Sequence, residues 1–177
     1  YLFLLLLLEL ILFDVFLFSS SEYCLFLNLA LIGGNICDKI SKLLTDPSTS
    51  LNNSGFTLEI GPSNNPISRE NTIFVDLFEK IPFELKNNEE YYHARFPNFD
   101  SEKKFSTIIA SHVFEHSLDP TKFLLKCKNL LEKKGSIFLS IPNFEIWINE
   151  KYWNGITPEH QIYPTIKQVK EICNKIF

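Results

Sequence analysis

The chain has 177 residues, 17 basic and 21 acidic side chains, and a formal net charge of −4. That length can bury a sizeable core in one domain with an appendage, and 45% hydrophobic with 21% charged residues excludes a disordered or collagen-like chain. The mild acidity offers no basic face to displace counterions, so nucleic acid is not an expected partner.

Residues 2–18 hold fifteen apolar side chains interrupted by Glu9 and Asp14, and the first basic residue is Lys39. Fifteen apolar residues at roughly −0.3 to −0.6 kcal/mol and two acids at about +2.5 to +3.5 sum to near zero on the insertion scale. No basic flank or n-region accompanies the run. Three readings stay open for it: a poor membrane segment, a buried or partner-packed helix, or translated sequence from upstream of the true start. Peripheral membrane contact through residues 2–18 is therefore one expectation for a chain otherwise expected in the cytoplasm. With no methionine and an opening Tyr1, the sequence also reads as a fragment.

Tyr23, Phe26, Leu27, Ala30 and Leu31 recur at helical spacing, Gly33 and Gly34 interrupt, and Ile36, Ile40, Leu43 and Leu44 resume the period. One or two packing helices are expected there. Asp46 to Ser54 is rich in turn formers and reads as a linker. Residues 1–56 thus form a helical leader and linker, and 57–177 the main domain. Cys24, Cys37, Cys127 and Cys173 are too widely spaced for a zinc knuckle. They are expected reduced and mostly buried, and no metal site is expected.

From Thr57 strands and helices alternate. Thr57 to Ile60 ends at Gly61-Pro62, Thr72 to Val75 stops at Asp76, and Lys104 to Ala110 runs into Ser111-His112. Each reads as a buried strand. Asp119 caps a helix with Pro120 in its first position and an apolar stripe through Phe123, Leu124, Cys127, Leu130 and Leu131. Lys133, Lys134 and Gly135 read as its basic last turn and left-handed terminator. Ser136 to Ile141 follows as a strand closed by Pro142, and Thr165 caps a last helix over Ile166 to Ile176. Strand, helix and strand at this length give a parallel sheet, so the class is α/β, doubly wound. Ligands of such sheets bind beyond the carboxyl ends of the strands.

Taken together, LEIGPSNNPI (Leu58 to Ile67), FVDL (Phe74 to Leu77), FSTIIASHVFEHSLDP (Phe105 to Pro120) and LLEKKGSIFLSIPN (Leu130 to Asn143) resemble class I S-adenosylmethionine-dependent methyltransferases. The resemblance covers about residues 57 to 175. It implies a Rossmann-like core, S-adenosylmethionine as cofactor, and a cleft built from Glu59, Gly61, Pro62 and Ser63 after the first strand. Asp76 matches the acid that accepts hydrogen bonds from the ribose hydroxyls, and Leu77 the neighbour that packs on adenine. Ser111 and His112 match cleft-lining positions, and His116 and His160 match histidines facing the cleft and the substrate pocket.

Three departures stand beside the matches. Gly61 is followed by Ser63 and Asn65 rather than further glycines, His93 stands where the family often has an acid for the adenine amino group, and the chain stops at Phe177. The family normally continues into two more strands that complete the sheet's far edge, so the C-terminal strands are expected to be lacking, either because the copy is truncated or because a missing partner covers that edge. If the acceptor is a hydroxyl or acidic carbon, His116 or His160 is the candidate base. Tyr91, Tyr92, Trp147, Tyr152 and Trp153 suit a small-molecule or glycan-like acceptor. The alternative is a non-catalytic methyltransferase-like interaction or structural module. A dinucleotide oxidoreductase is disfavoured because Ser63 and Pro66 break the G-x-G-x-x-G pattern.

Overall fold

The structure, a computed structural model, describes residues 13–19, 24–27, 55–142 and 158–177, the first two segments as backbone only. Seven strands share one sheet: β1 (Phe13–Ser19), β2 (Cys24–Leu27), β3 (Thr57–Ile60), β4 (Thr72–Asp76), β5 (Glu90–His93), β6 (Phe105–Ser111) and β7 (Leu131–Pro142). Their order is β2-β1-β7-β6-β3-β4-β5. The five strands from β7 to β5 run parallel, and β1 pairs antiparallel with both β7 and β2. From β3 the chain builds outward through β4 to β5, then crosses back to add β6 and β7 on the other side. The reversal between β3 and β6 is where such a sheet opens a crevice.

β4 is buried along its whole length, β6 along all but its last residue and β3 along all but its first, as continuous apolar runs in a parallel sheet require. Among the described residues two α-helices flank the sheet, α1 (Pro120–Leu130) in the crossover from β6 to β7 and α2 (Ile166–Ile176) after β7. Asp119 Oδ1 accepts the Lys122 N–H at 2.8 Å, and Pro120 fills the first turn, where no N–H is needed. Phe123, Leu124, Cys127 and Leu130 turn into the core. Each fully buried large apolar side chain contributes roughly 1.5–3 kcal/mol against about 1 for a cap, so packing holds α1 while the cap sets where it begins. At α2 the expected Thr165 cap is a full capping box: Thr165 Oγ1 accepts the Gln168 N–H, and Gln168 Oε1 accepts the Thr165 N–H. Lys128 of α1 donates to the Ile176 carbonyl and ties the two helices together. Cys127 and Cys173, on facing helices, are both buried.

The structure corrects the helical leader. Residues 13–19 and 24–27 are strands, and every residue of β1 from Phe13 to Ser19 has a partner on β7 between Pro142 and Ser136. A continuous apolar run carries no period, so spacing alone cannot separate a buried helix from a buried strand; here the exposed hydrogen-bonding edge of β7 selects the strand. The edge of β7, where the family's further strands are expected, is thereby paired with β1. The rest of the leader, the helices expected over 28–44, the linker at 46–54, and Trp147, Tyr152 and Trp153 lie outside the described residues. No helix among the described residues is long and apolar enough to cross a membrane.

The end of α1 is a second correction. The helix stops at Leu130, and Leu131 is already extended, opening a twelve-residue β7 whose first residue pairs with Phe105. Gly135 therefore lies inside a strand and terminates no helix. A Cβ there would sit 2.8 Å from the Phe105 carbonyl oxygen and from Leu131 Cδ2, so close approach of backbone demands the glycine.

Candidate active site

The loops after β3, β4, β5 and β6 enclose a cavity of about 210 Å³ at the carboxyl ends of the strands. Of the residues expected from the sequence, Gly61, Ser63, Asp76, Leu77, His112 and His116 line it. Glu59, Pro62, Ser111 and His160 do not.

Glu59 is almost wholly buried and faces its own loop. Its carboxylate accepts the N–H of Ile67 at 2.8 Å and of Ser68 at 2.9 Å, folding the returning chain back against β3. Burial pushes its pKa up to about 7, opposed by these two N–H groups and by Arg69. Pro62 is buried, and its carbonyl accepts the Asn65 N–H in a tight turn. Gly61 has φ +66, and a Cβ there would lie 2.4 Å from Val113 Cγ2. The space that glycine leaves is thus filled by a valine methyl from the loop after β6, which fixes how closely the two loops approach.

Asp76 ends β4 with its carboxylate in the cavity wall. Oδ2 accepts the Ser63 N–H at 3.0 Å and Oδ1 the Leu77 N–H at 2.6 Å. A carboxylate offers about four acceptor positions, so both oxygens keep capacity toward the cavity. Leu77 and Phe78 stand half-exposed beside it, an apolar pair at the mouth. Ser63 and His112 both hold left-handed backbone at φ 52 and 56, a conformation that costs a non-glycine residue energy and that gathers at ligand sites.

Ser111 is the last residue of β6, paired with Ser140 of β7, whose carbonyl also accepts the His112 N–H at 2.9 Å. The chain then enters a single 3-10 turn, Phe114–His116. The Glu115 carbonyl accepts the N–H groups of Gln161 and Ile162, which pins the segment carrying His160 onto this turn. As a result the His116 and His160 rings meet edge to face with centroids 4.9 Å apart. His116 Nδ1 lies 2.8 Å from the Glu159 carbonyl. Burial holds the His160 pKa below its ordinary value, against the pull of the Glu115 carboxylate.

These loops and their order on the sheet are those of a known family, whose description is the methyltransferase domain and whose pattern matches residues 33–176. The chain belongs to the methyltransferase domain family. Among solved structures this chain is similar to the plantazolicin methyltransferase BpumL in complex with a pentazolic desmethylPZN analog and SAH. The TM-score is 0.56 at 14% sequence identity, covering 77% of this chain and 59% of that one. A structure of BpumL with SAH alone gives the same four values. The glycopeptide N-methyltransferase MtfA is matched at TM-score 0.47 and 14% identity, over 60% of this chain and 53% of that one. No curated protein matches the sequence. At such identity the likeness speaks for the fold, a Rossmann-like methyltransferase core, and the chain spans 59% of the BpumL length. S-adenosylmethionine is the cofactor that goes with this family.

Four residues contribute to this candidate site beyond those that the sequence pointed to. Val113 fills the space beside Gly61, Phe96 and Phe123 supply the apolar back wall of the cavity, and Glu115 is buried beneath the histidines. Only Glu115 left a signal, three residues after His112 and adjacent to His116.

Proposed function

We propose that the chain is an S-adenosylmethionine-dependent methyltransferase acting on a small organic or peptide-derived acceptor, with the cofactor in the cavity at the ends of β3 to β6. The single observation that carries this is Asp76: an acid held by two backbone N–H groups, with acceptor capacity left toward a cavity flanked by Leu77 and Phe78. That arrangement fits a ribose diol followed by an adenine ring. Gly61 and Ser63 form the floor beneath it, and Glu59 holds that floor in shape from behind.

When bound, S-adenosylmethionine supplies a methyl group on a positively charged sulfur. The chain's task is to bring the acceptor atom about 3 Å from that methyl carbon, in line with the carbon–sulfur bond, and to exclude water. His112 and His116 line the same cavity, and the His160 ring packs against that of His116. On this reading the histidines stand at the acceptor side, where they lower the cost of removing the acceptor's proton. The acceptor class is supported by the BpumL complexes, which carry desmethylPZN analogs on this fold.

Isothermal calorimetry with S-adenosylhomocysteine tests the assignment. Binding of one equivalent at micromolar affinity is the expected result. Absence of binding at millimolar ligand overturns it and favours the non-catalytic module.

A further inference from the structure

Beneath the histidine pair lies a buried acid that the methyl-transfer reading does not use. The Glu115 side chain is 1% exposed, and among the described residues neither of its carboxylate oxygens has a hydrogen-bond partner. His112 Nδ1 stands 3.4 Å from Oε1. Burying a carboxylate on so weak a contact is costly, and such groups are ordinarily paired or bound to a metal. One ligand atom from each of Glu115, His116 and His160 lies within 4.8 Å of the others.

We propose that Glu115, His116 and His160 form a binding site for one divalent transition-metal ion of the Zn²⁺ or Mn²⁺ class, at the acceptor end of the methyltransferase cleft. The donor set, two imidazoles and one carboxylate, matches that class and not calcium or magnesium, which want oxygen ligands. Bonds of about 2.1 Å need ligand atoms roughly 3 to 4 Å apart, so the three close on an ion with side-chain shifts of under about 1 Å. The surroundings supply what such ligands need. His116 Nδ1 is 2.8 Å from the Glu159 carbonyl, which takes its proton and leaves the lone pair on the other ring nitrogen. The Glu115 backbone carbonyl holds Gln161 and Ile162, so the ligands from the two segments are fastened by main chain as well as by the ion.

Three protein ligands leave a coordination position open. His112 and His116 face the cavity, so that position is offered to an acceptor oxygen, whose proton is lost more easily beside a divalent charge. This deepens, and rests on, the methyltransferase reading: it selects an oxygen acceptor, with the histidines acting through the ion rather than as free bases.

The test is equilibrium binding of Zn²⁺ to the full chain by competition with a chromophoric chelator, together with the visible spectrum after Co²⁺ loading. One ion per chain at micromolar affinity or tighter is expected, weakened at least tenfold in His160→Ala and in Glu115→Gln and unchanged in His93→Ala. His160→Ala keeps the test decisive if Glu115→Gln fails to fold, and circular dichroism scores folding of each variant. Absence of Zn²⁺ binding, or equal binding by all variants, overturns the site. S-adenosylhomocysteine affinity measured on the same samples separates the outcomes: retained cofactor binding without Zn²⁺ binding overturns the metal site alone, whereas loss of cofactor binding strikes the methyltransferase reading.

Discussion

The Asp76 carboxylate accepts the backbone N–H of Ser63 at 3.0 Å across thirteen residues of sequence. It therefore stitches the turn after β3 to the end of β4, and it does so from the wall of the cavity. One side chain shapes the loop and presents acceptor oxygens to whatever enters.

Asp76→Ala is expected to weaken S-adenosylhomocysteine binding at least tenfold, or about 1.4 kcal/mol. Asp76→Asn should fall between, because an amide keeps one accepting oxygen. Calorimetry on the three proteins checks the ranking, and equal affinities would remove Asp76 from the site.

Gly61→Ala meets two obstacles, a left-handed φ costing about 1–2 kcal/mol and a methyl driven into Val113 costing about 1–3 kcal/mol. Urea unfolding should show both. Adding Val113→Ala to Gly61→Ala is expected to recover only the crowding part, and full recovery would show that the backbone at Gly61 is unstrained.

The stability of the domain should depend on Glu59. Its folded-state pKa of about 7 exceeds the ordinary 4.5. The folded chain thus holds a proton that the unfolded chain releases. The stabilising contribution is complete below about pH 4.5 and is lost as pH rises through about 7, a fall on the order of 3 kcal/mol. Urea midpoints between pH 5 and 8 measure it, and Glu59→Gln should flatten that part of the curve. An unchanged slope in the variant would assign the dependence elsewhere.

His160→Ala should reduce methyl transfer at least tenfold while leaving S-adenosylhomocysteine affinity within about twofold, since His160 stands behind His116 and off the cavity lining. Single-turnover kinetics and calorimetry on the same preparation give both numbers. Parallel loss of the two would mean that His160 only supports the fold.

Much of the parallel sheet was legible because its strands end on residues that stop strands for local reasons: Gly61-Pro62, Asp76 and Ser111-His112. The Thr165 cap was legible for the same reason, its partner Gln168 being three residues away. What escaped depends on distant chain. The apolar run at 13–19 has no period of its own and takes its form from β7. The Lys133-Lys134-Gly135 sequence looks like a helix end, yet Leu131 is drawn into pairing with Phe105, and the glycine serves a crowded strand. At the site, Glu59 was placed toward a ligand because its position is right; only the fold shows that Ile67 and Ser68 claim its oxygens. Glu115 stands beside His112 and His116 in the sequence, but the segment that its backbone carbonyl holds, at Gln161 and Ile162, comes more than forty residues later in the chain.

The pairing of β1 with β7 also bears on how the chain reaches its final form. Phe16 and Leu139 are register partners, and bringing together strands on the order of 120 residues apart carries a closure cost that local elements do not bear. A ribosome delivers β1 and β2 well before β7. Until β7 emerges, β1 has only the short β2 to pair with and its other edge stays open, so shielding of that edge during synthesis bears on the yield of the folded protein.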